Sequence, residues 1–280
     1  MKEIRAAVTL NSPEPIQHIS LSAKSRVGMI SDLHLTPDRD DISQRLQQFL
    51  EKQGSELDYL FILGDLFEFW IGDDATVACH YENIEAILTD FVKQNETVIY
   101  LMHGNRDFLL GAGFCQRQQS HLINDPCLLK IGSIEIILAH GDAYCTDDTE
   151  HQIFRRQTRN PVWQTEFLSL SVDERLEYAR QVRAHSEAGK SAKSQLIMDV
   201  NQLAIEQEFA NFKSSFLIHG HTHRPAVHSL QTAYRRCLRI VLGDWFEQSS
   251  YLEINDMLLS FNVGQQQYRI NLSDKVISIQ

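Results

Sequence analysis

SDLH at 31–34, GD at 64–65, GNRD at 104–107, HGD at 140–142 and GHTH at 220–223 follow one another along the chain. Each string follows a short apolar run, directly or after one histidine: VGMI, YLFIL, VIYLM, IEIILA and SFLI. Runs of that length, rich in β-branched and aromatic residues, read as buried strands. The strings are therefore expected on loops at one end of a sheet, where the sites of α/β folds gather. They supply Asp32, His34, Asp65, Asn105, His140, His221 and His223, which offer oxygen and imidazole donors and no thiolate. So many donors exceed one tetrahedral zinc and lack the cysteines of a structural zinc site. They point to a pair of divalent ions.

Any one string is short enough to recur by chance; spacing and neighbours give the set its meaning. Asp32 with His34, and His221 with His223, stand at alternate positions, whose side chains leave a strand end in the same direction. Gly64, Gly104, Gly141 and Gly220 each adjoin one of these donors. A residue without Cβ lets the chain turn sharply and brings backbone close to an ion or phosphate. His18, His80, His121, His151 and His185 lie outside the strings and read as surface or loop residues. His103 and His219 read as supports within the motif loops, and Trp70, Trp163 and Trp245 as packing residues.

The chain has 280 residues, 43% of them hydrophobic, enough for one large core or two small ones. Its net charge of −11 argues against a nucleic-acid partner, because surfaces that track phosphates are basic. The five cysteines (79, 115, 127, 145 and 237) are scattered and form no CxxC, as expected of free thiols in a reducing compartment. The opening residues carry no apolar core of signal length, and no run approaches the roughly 20 apolar residues of a membrane span. These features place the protein in the cytoplasm or, at most, on a membrane surface.

Four segments are expected. Residues 1–25 form an extension, broken by Ser-Pro-Glu-Pro at 12–15. Residues 26–148 make the first part of the core, alternating strand and helix. Ile42, Leu46, Phe49 and Leu50 form one helical stripe, with Asp41 as a suitable cap; Ile84, Ile87, Leu88, Phe91 and Val92 form another. Residues 149–213 are a helical insertion, in HQIFRRQ, WQTEFLSL, DERLEYARQVRAHS and LIMDVNQLAIEQEF. Residues 214–280 complete the core with the β pattern of VHSL, LRIVL, SYLEI, LLSFN and QYRINL. Both ends of the insertion leave donor-bearing loops, so it is expected to stand over the site as a lid. It carries eight Lys/Arg against seven Asp/Glu over 150–200, while the rest of the chain is strongly acidic, and that relative basicity suits an anionic substrate. Phe154, Trp163, Phe167, Leu168 and Leu170 give it more apolar surface than one thin helical layer can bury.

The order DxH, GD, GN, H, GHxH resembles that of the calcineurin-like metallophosphoesterases. The resemblance implies an α/β (α+β) fold: a two-sheet β-sandwich flanked by helices, with the metals at one edge and the helical lid above. It assigns Asp32, His34, Asp65 and His223 to one ion and Asp65, Asn105, His140 and His221 to the other, with Asp65 bridging. It gives Asp65, Asn105, Arg106 and His140 as the catalytic set. Many relatives carry His where Arg106 stands. An arginine stays protonated near neutrality and cannot donate its proton to a poor leaving group. The leaving group should then depart unaided, as a phosphate does when a diphosphate is cut.

The longer strings GDLFEFWIGDD (64–74), HGNRDFLLG (103–111), HGDAYCTDD (140–148), RAHSEAGKSAKSQLIMDVN (183–201) and HGHTHRPAVH (219–228) are similar to those of the UDP-2,3-diacylglucosamine hydrolases, the diphosphatases of lipid A biosynthesis. The similarity runs from about residue 26 to 245 and includes the lid. It implies two Mn²⁺ per chain and hydrolysis of UDP-2,3-diacylglucosamine to UMP and 2,3-diacylglucosamine 1-phosphate. It also implies substrate contacts at Asn105, Arg106, Asp148, Ser186, Lys190, Lys193 and His221. Many members of that family carry Asn where Lys190 stands. An amphiphilic substrate and a basic lid suit a peripheral position on the anionic cytoplasmic face of the inner membrane. A broader nucleotide-sugar or bis-nucleotide phosphohydrolase is the alternative, and the lid separates the two, since a water-soluble substrate needs no apolar cleft. A metal-free scaffold would be free to lose donors, and here all of them stand.

Overall fold

A computed structural model describes residues 16–192, 198–232 and 235–279, with backbone only over 185–192. In chain order it contains β1 (Gln17–Leu21), β2 (Val27–Ile30), α1 (Asp40–Lys52), β3 (Tyr59–Leu63), α2 (Glu82–Gln94), β4 (Val98–Met102), α3 (Ala112–Arg117), β5 (Ser120–Ile123), β6 (Cys127–Ile131) and β7 (Ile134–Leu138). Four helices follow: α4 (Thr149–Thr158), α5 (Pro161–Leu168), α6 (Val172–Ala192) and α7 (Gln202–Phe212). The chain closes with β8 (Phe216–His219), β9 (Ala226–Gln231), β10 (Arg236–Val241), β11 (Ser250–Asn255), β12 (Leu258–Val263), β13 (Gln266–Asn271) and β14 (Ile277–Ile279).

The strands make two sheets, ordered β1-β6-β7-β8-β10-β9 and β14-β13-β12-β11-β2-β3-β4-β5. Strands β2 to β5 run parallel, joined by the crossover helices α1 to α3. Their apolar residues are continuous because both faces are covered. Along β3, Phe61 and Leu63 point between the sheets, and Leu60 and Ile62 point to the helices. Strand β8 does the same, with Phe216 and Ile218 between the sheets and Leu217 facing α7. The result is a four-layer arrangement of helix, sheet, sheet and helix, the two-sheet sandwich expected.

Particular expectations are corrected. The five strings end strands of two sheets: β2, β3 and β4 in one, β7 and β8 in the other. Apolar runs mark a buried strand but carry no label for its sheet. The 1–25 extension contributes β1, which pairs in parallel with β6. Its alternating QHISL is too short and polar to stand out from the preceding prolines. Helix α1 starts at Asp40, and Asp41 binds Arg39 at 2.8 and 2.9 Å instead of capping. Among the described residues of the insertion, α4 to α6 stand over the strand ends. Ile205 and Phe209, one turn apart on α7, pack on Leu128, Ile137 and Leu217, which fastens that helix to the outer face of the six-stranded sheet.

Candidate metal centre

The three parallel strands of one sheet and the parallel pair of the other bring all seven donors to one edge. The chain leaves each strand abruptly. Asp32, His34, Asp65, His221 and His223 all adopt positive φ, between 51° and 68°. That region costs a non-glycine residue about 1–3 kcal/mol, and such strain collects at functional sites. Two glycines make the approach possible. A Cβ on Gly104 would collide with the Asp65 carboxylate, and one on Gly220 with that of Asp32.

Two clusters result. In the first, Nε2 of His34 and Nε2 of His223 face each other at 3.1 Å, and Asp32 Oδ1 lies 3.5 Å from His223 Nε2. In the second, Asn105 Oδ1 lies 3.0 Å from His140 Nε2 and 2.8 Å from His221 Nδ1. Asp65 stands between them. Its Oδ1 accepts the backbone N–H of Arg106 at 2.8 Å, and its Oδ2 is 3.7 Å from both His34 Nε2 and His140 Nε2. One carboxylate oxygen thus lies equidistant from an imidazole of each cluster.

The outer nitrogens of three imidazoles each face an oxygen, as those of metal-binding histidines do. Glu68 lies 3.0 Å from Nδ1 of His34, Leu63 O 2.9 Å from Nδ1 of His140, and Asp244 3.3 Å from Nδ1 of His223. Burial alone would lower the basicity of His140 and His223. The carboxylates of Asp65, Asp142 and Asp32 nevertheless push His140 up to about 9, and those of Asp244 and Asp32 push His223 up to about 10. Asp32 is fully buried, yet the imidazoles around it hold its carboxyl well below the usual range. Buried carboxylates facing electron-rich imidazoles suit a divalent cation, which satisfies them by replacing protons. The donor set fits the hard, nitrogen- and oxygen-preferring ions.

Three acids that serve the site are invisible in the donor pattern. Asp107, the last residue of GNRD, is wholly buried and accepts the N–H groups of Leu66 at 2.7 Å and Gly104 at 2.8 Å, tying two donor loops together. Glu68 faces His34 and also lies 3.8 Å from Arg106 and 3.5 Å from Arg183. Asp244 follows β10, a sixth strand ending at this edge. His151 is no surface residue: its ring lies 5.3 Å from that of His221, and it lines the cavity above the donors. His103 gives a 2.7 Å contact to Leu110 O and His219 one of 2.9 Å to Gly220 O, both within the loops they support. All three tryptophans are buried.

The cavity has a volume of about 790 Å³. At its floor are His34, Asp65, Asn105, Arg106, His221 and His223; its walls include Phe108, Ile153, Phe154, Trp163, Phe167 and Tyr178. Asp148 lines it too and caps α4. Of the remaining contacts expected for a substrate, Lys193 lies outside the described residues, as do the side chains of Ser186 and Lys190. The lid's arginines are less free than a docking surface requires. Arg175 is buried against Asp74 (2.9 and 2.5 Å) and Ile71 O, and Arg155 and Arg159 also bind the body of the protein. Part of its apolar stock is likewise spent on packing, since Trp163 and Phe167 join the core cluster of Trp70 and Phe114.

A double sheet with such a donor set at its strand ends defines a metal-dependent phosphoesterase, and the calcineurin-like phosphoesterase family model matches residues 25–225. A UDP-2,3-diacylglucosamine hydrolase of Stenotrophomonas maltophilia is 41% identical over 81% of this chain and 93% of its own length. The protein of the same name from Xanthomonas axonopodis pv. citri is 42% identical over 81% of this chain and 94% of its own. A solved phosphoesterase from E. coli covers 91% of this chain and 98% of its own at 14% identity, with a TM-score of 0.43. The chain belongs to the calcineurin-like phosphoesterases and, within them, to the UDP-2,3-diacylglucosamine hydrolase family.

Proposed function

We propose that this chain hydrolyses the diphosphate bond of UDP-2,3-diacylglucosamine, giving UMP and 2,3-diacylglucosamine 1-phosphate, with two Mn²⁺ ions. The observation that carries the reading is a cavity whose floor is the donor cluster and whose walls include aromatic and aliphatic side chains of the lid. A polar reacting end continuous with an apolar chamber matches a substrate whose diphosphate adjoins two acyl chains. Sheltering those chains is worth about 0.8 kcal/mol per CH₂. A water-soluble nucleotide sugar gives the chamber no purpose, which disfavours the broader phosphohydrolase.

In this reading Asp32, His34, Asp65 and His223 hold one ion and Asp65, Asn105, His140 and His221 the other. Such a pair supplies hydroxide near neutral pH and countercharge for the phosphoryl oxygens. Asp65 Oδ2 spans the clusters while the Arg106 N–H fixes its other oxygen. Asn105 orients its carboxamide oxygen between His140 and His221 and leaves its amide nitrogen for the phosphate. Arg106 meets the diphosphate as a cation. Asp148, Ser186, Lys190, Lys193 and His221 complete the substrate contacts, and 149–213 is the insertion that supplies the lid.

The cytoplasmic face of the inner membrane is the proposed workplace. No helix among the described residues is long and apolar enough to cross a membrane. Ile153 and Val162, each more than half exposed on the lid, with exposed Arg156 and Arg180, suit peripheral contact with anionic lipid. The deciding assay compares UDP-2,3-diacylglucosamine in mixed micelles with UDP-N-acetylglucosamine. Much faster release of UMP from the acylated compound is expected, because remote binding energy positions the reacting centre. Comparable rates on both would overturn the reading.

A further inference from the structure

One face of α4 is turned to the donor loops, and its residues recur every turn: His151, Arg155 and Arg159. His151 Nε2 lies 3.7 Å from Asp142 Oδ2, and its ring is against His221. Arg155 donates from Nε to Asp142 Oδ2 at 3.0 Å and from Nη2 to Asp125 Oδ2 at 3.2 Å. The other oxygen of Asp125 accepts the backbone N–H of His140 at 3.0 Å. Arg159 donates from Nη2 to the carbonyls of Gly104 at 2.9 Å and His103 at 3.3 Å, on the loop that carries Asn105. The stripe therefore meets the loops of His221, His140 and Asn105, the three donors that serve the second ion alone. Within the stripe, no bond runs to Asp32, His34 or His223.

We infer that Arg155 and Arg159 are positioning residues for the second metal, so that α4 is a structural wall of that site as well as part of the lid. The inference rests on the proposed division of donors between two ions. Arg155 holds the His140 loop through Asp125 and Asp142, and Arg159 fixes the carbonyl preceding Asn105. Neither touches an ion or the substrate. Because the same helix presents Phe154 to the cavity, anything that shifts α4 moves the second site and the acyl chamber together.

The test is manganese binding by the full chain after chelation, followed by calorimetry and by the electron paramagnetic resonance of a coupled ion pair. Asn105→Ala marks the behaviour of a lost second site. Arg159→Met and Arg155→Met should each weaken the second ion about 10- to 100-fold, the usual effect of removing an outer-shell partner, and leave the first ion unaffected. Arg155→Lys should recover part of the loss. Arg155→Met leaves the buried Asp142 without its guanidinium and can fail to fold. Arg159→Met gives up only bonds to carbonyls and carries the test in that event, with its melting temperature as the control. Two ions bound with wild-type affinity in Arg159→Met and in every folded Arg155 variant would overturn the inference while leaving the dinuclear reading intact. A wild-type protein that takes up only one ion would overturn both.

Discussion

At the scale of single residues, the site is made by backbone that few side chains tolerate. Asp65 is the donor on which most converges: it holds positive φ, one oxygen is fixed by an N–H, and the other is shared between imidazoles. Asp65→Ala should lower turnover by about a thousandfold or more, since several kcal/mol of metal-derived stabilisation are lost and each 1.36 kcal/mol is tenfold. Chelation of the wild type should have the same effect and be reversed best by Mn²⁺, whereas His34→Ala or Asn105→Ala should recover partly in excess metal. Turnover that survives Asp65→Ala in chelator would refute the role. Gly104→Ala tests the close approach. Its methyl group would press on the Asp65 carboxylate, and such overpacking costs about 1–3 kcal/mol. A lower melting temperature together with lost metal uptake is expected; unchanged metal binding would mean the loop yields freely. The donors themselves were legible in the sequence because each stands at the end of an apolar run. Glu68, Asp107 and Asp244 were not, since an acid's task here depends on what lies opposite it across the fold.

At the scale of elements, strand identity followed from apolar runs, but sheet membership did not, because partners are chosen by packing over long separations. The helices α4 to α7 were legible in the periodicity of the segment that carries them. Its arginines were misleading: charge counts cannot tell a guanidinium that awaits an anion from one already held by the body, as Arg175 is by Asp74. For the apolar wall, Phe154→Ala should raise KM for the acylated substrate about 10-fold or more, given about 1.5–3 kcal/mol for burying such a side chain. Hydrolysis of a small phosphodiester should be unaltered. Equal KM values for mutant and wild type would take Phe154 out of the acyl chamber. Away from the site, Glu85 of α2 ties in α3: it accepts from Arg117 at 2.8 and 2.9 Å and from Thr76 at 2.7 Å. Burial raises its pKa, but Arg117 and Thr76 outweigh burial and leave it below the ordinary value of 4.5. A depressed carboxyl stabilises the fold above its unfolded pKa, and that contribution fades as pH falls through the folded one. Glu85→Gln should therefore cost about 1–3 kcal/mol at pH 7 and progressively less below about pH 4.5, as read by denaturant titration. A deficit independent of pH would mean the ion pair contributes nothing.

At the scale of the whole molecule, the two-sheet body was foreseeable from the alternation of strand and helix followed by a β-rich end. The route of α7 was not, because nothing local distinguishes a helix that covers a site from one that backs a sheet. The two sheets also divide the donors between early and late parts of the chain. Asp32 and His34 follow β2, while His221 and His223 follow β8, some 190 residues further on. On a ribosome adding about 5–20 residues each second, the first donors emerge roughly 10–40 s before the last. Through that interval no fragment of the nascent protein holds either donor cluster complete. Divalent metal must therefore be acquired after the final strands have docked, by a polypeptide already finished.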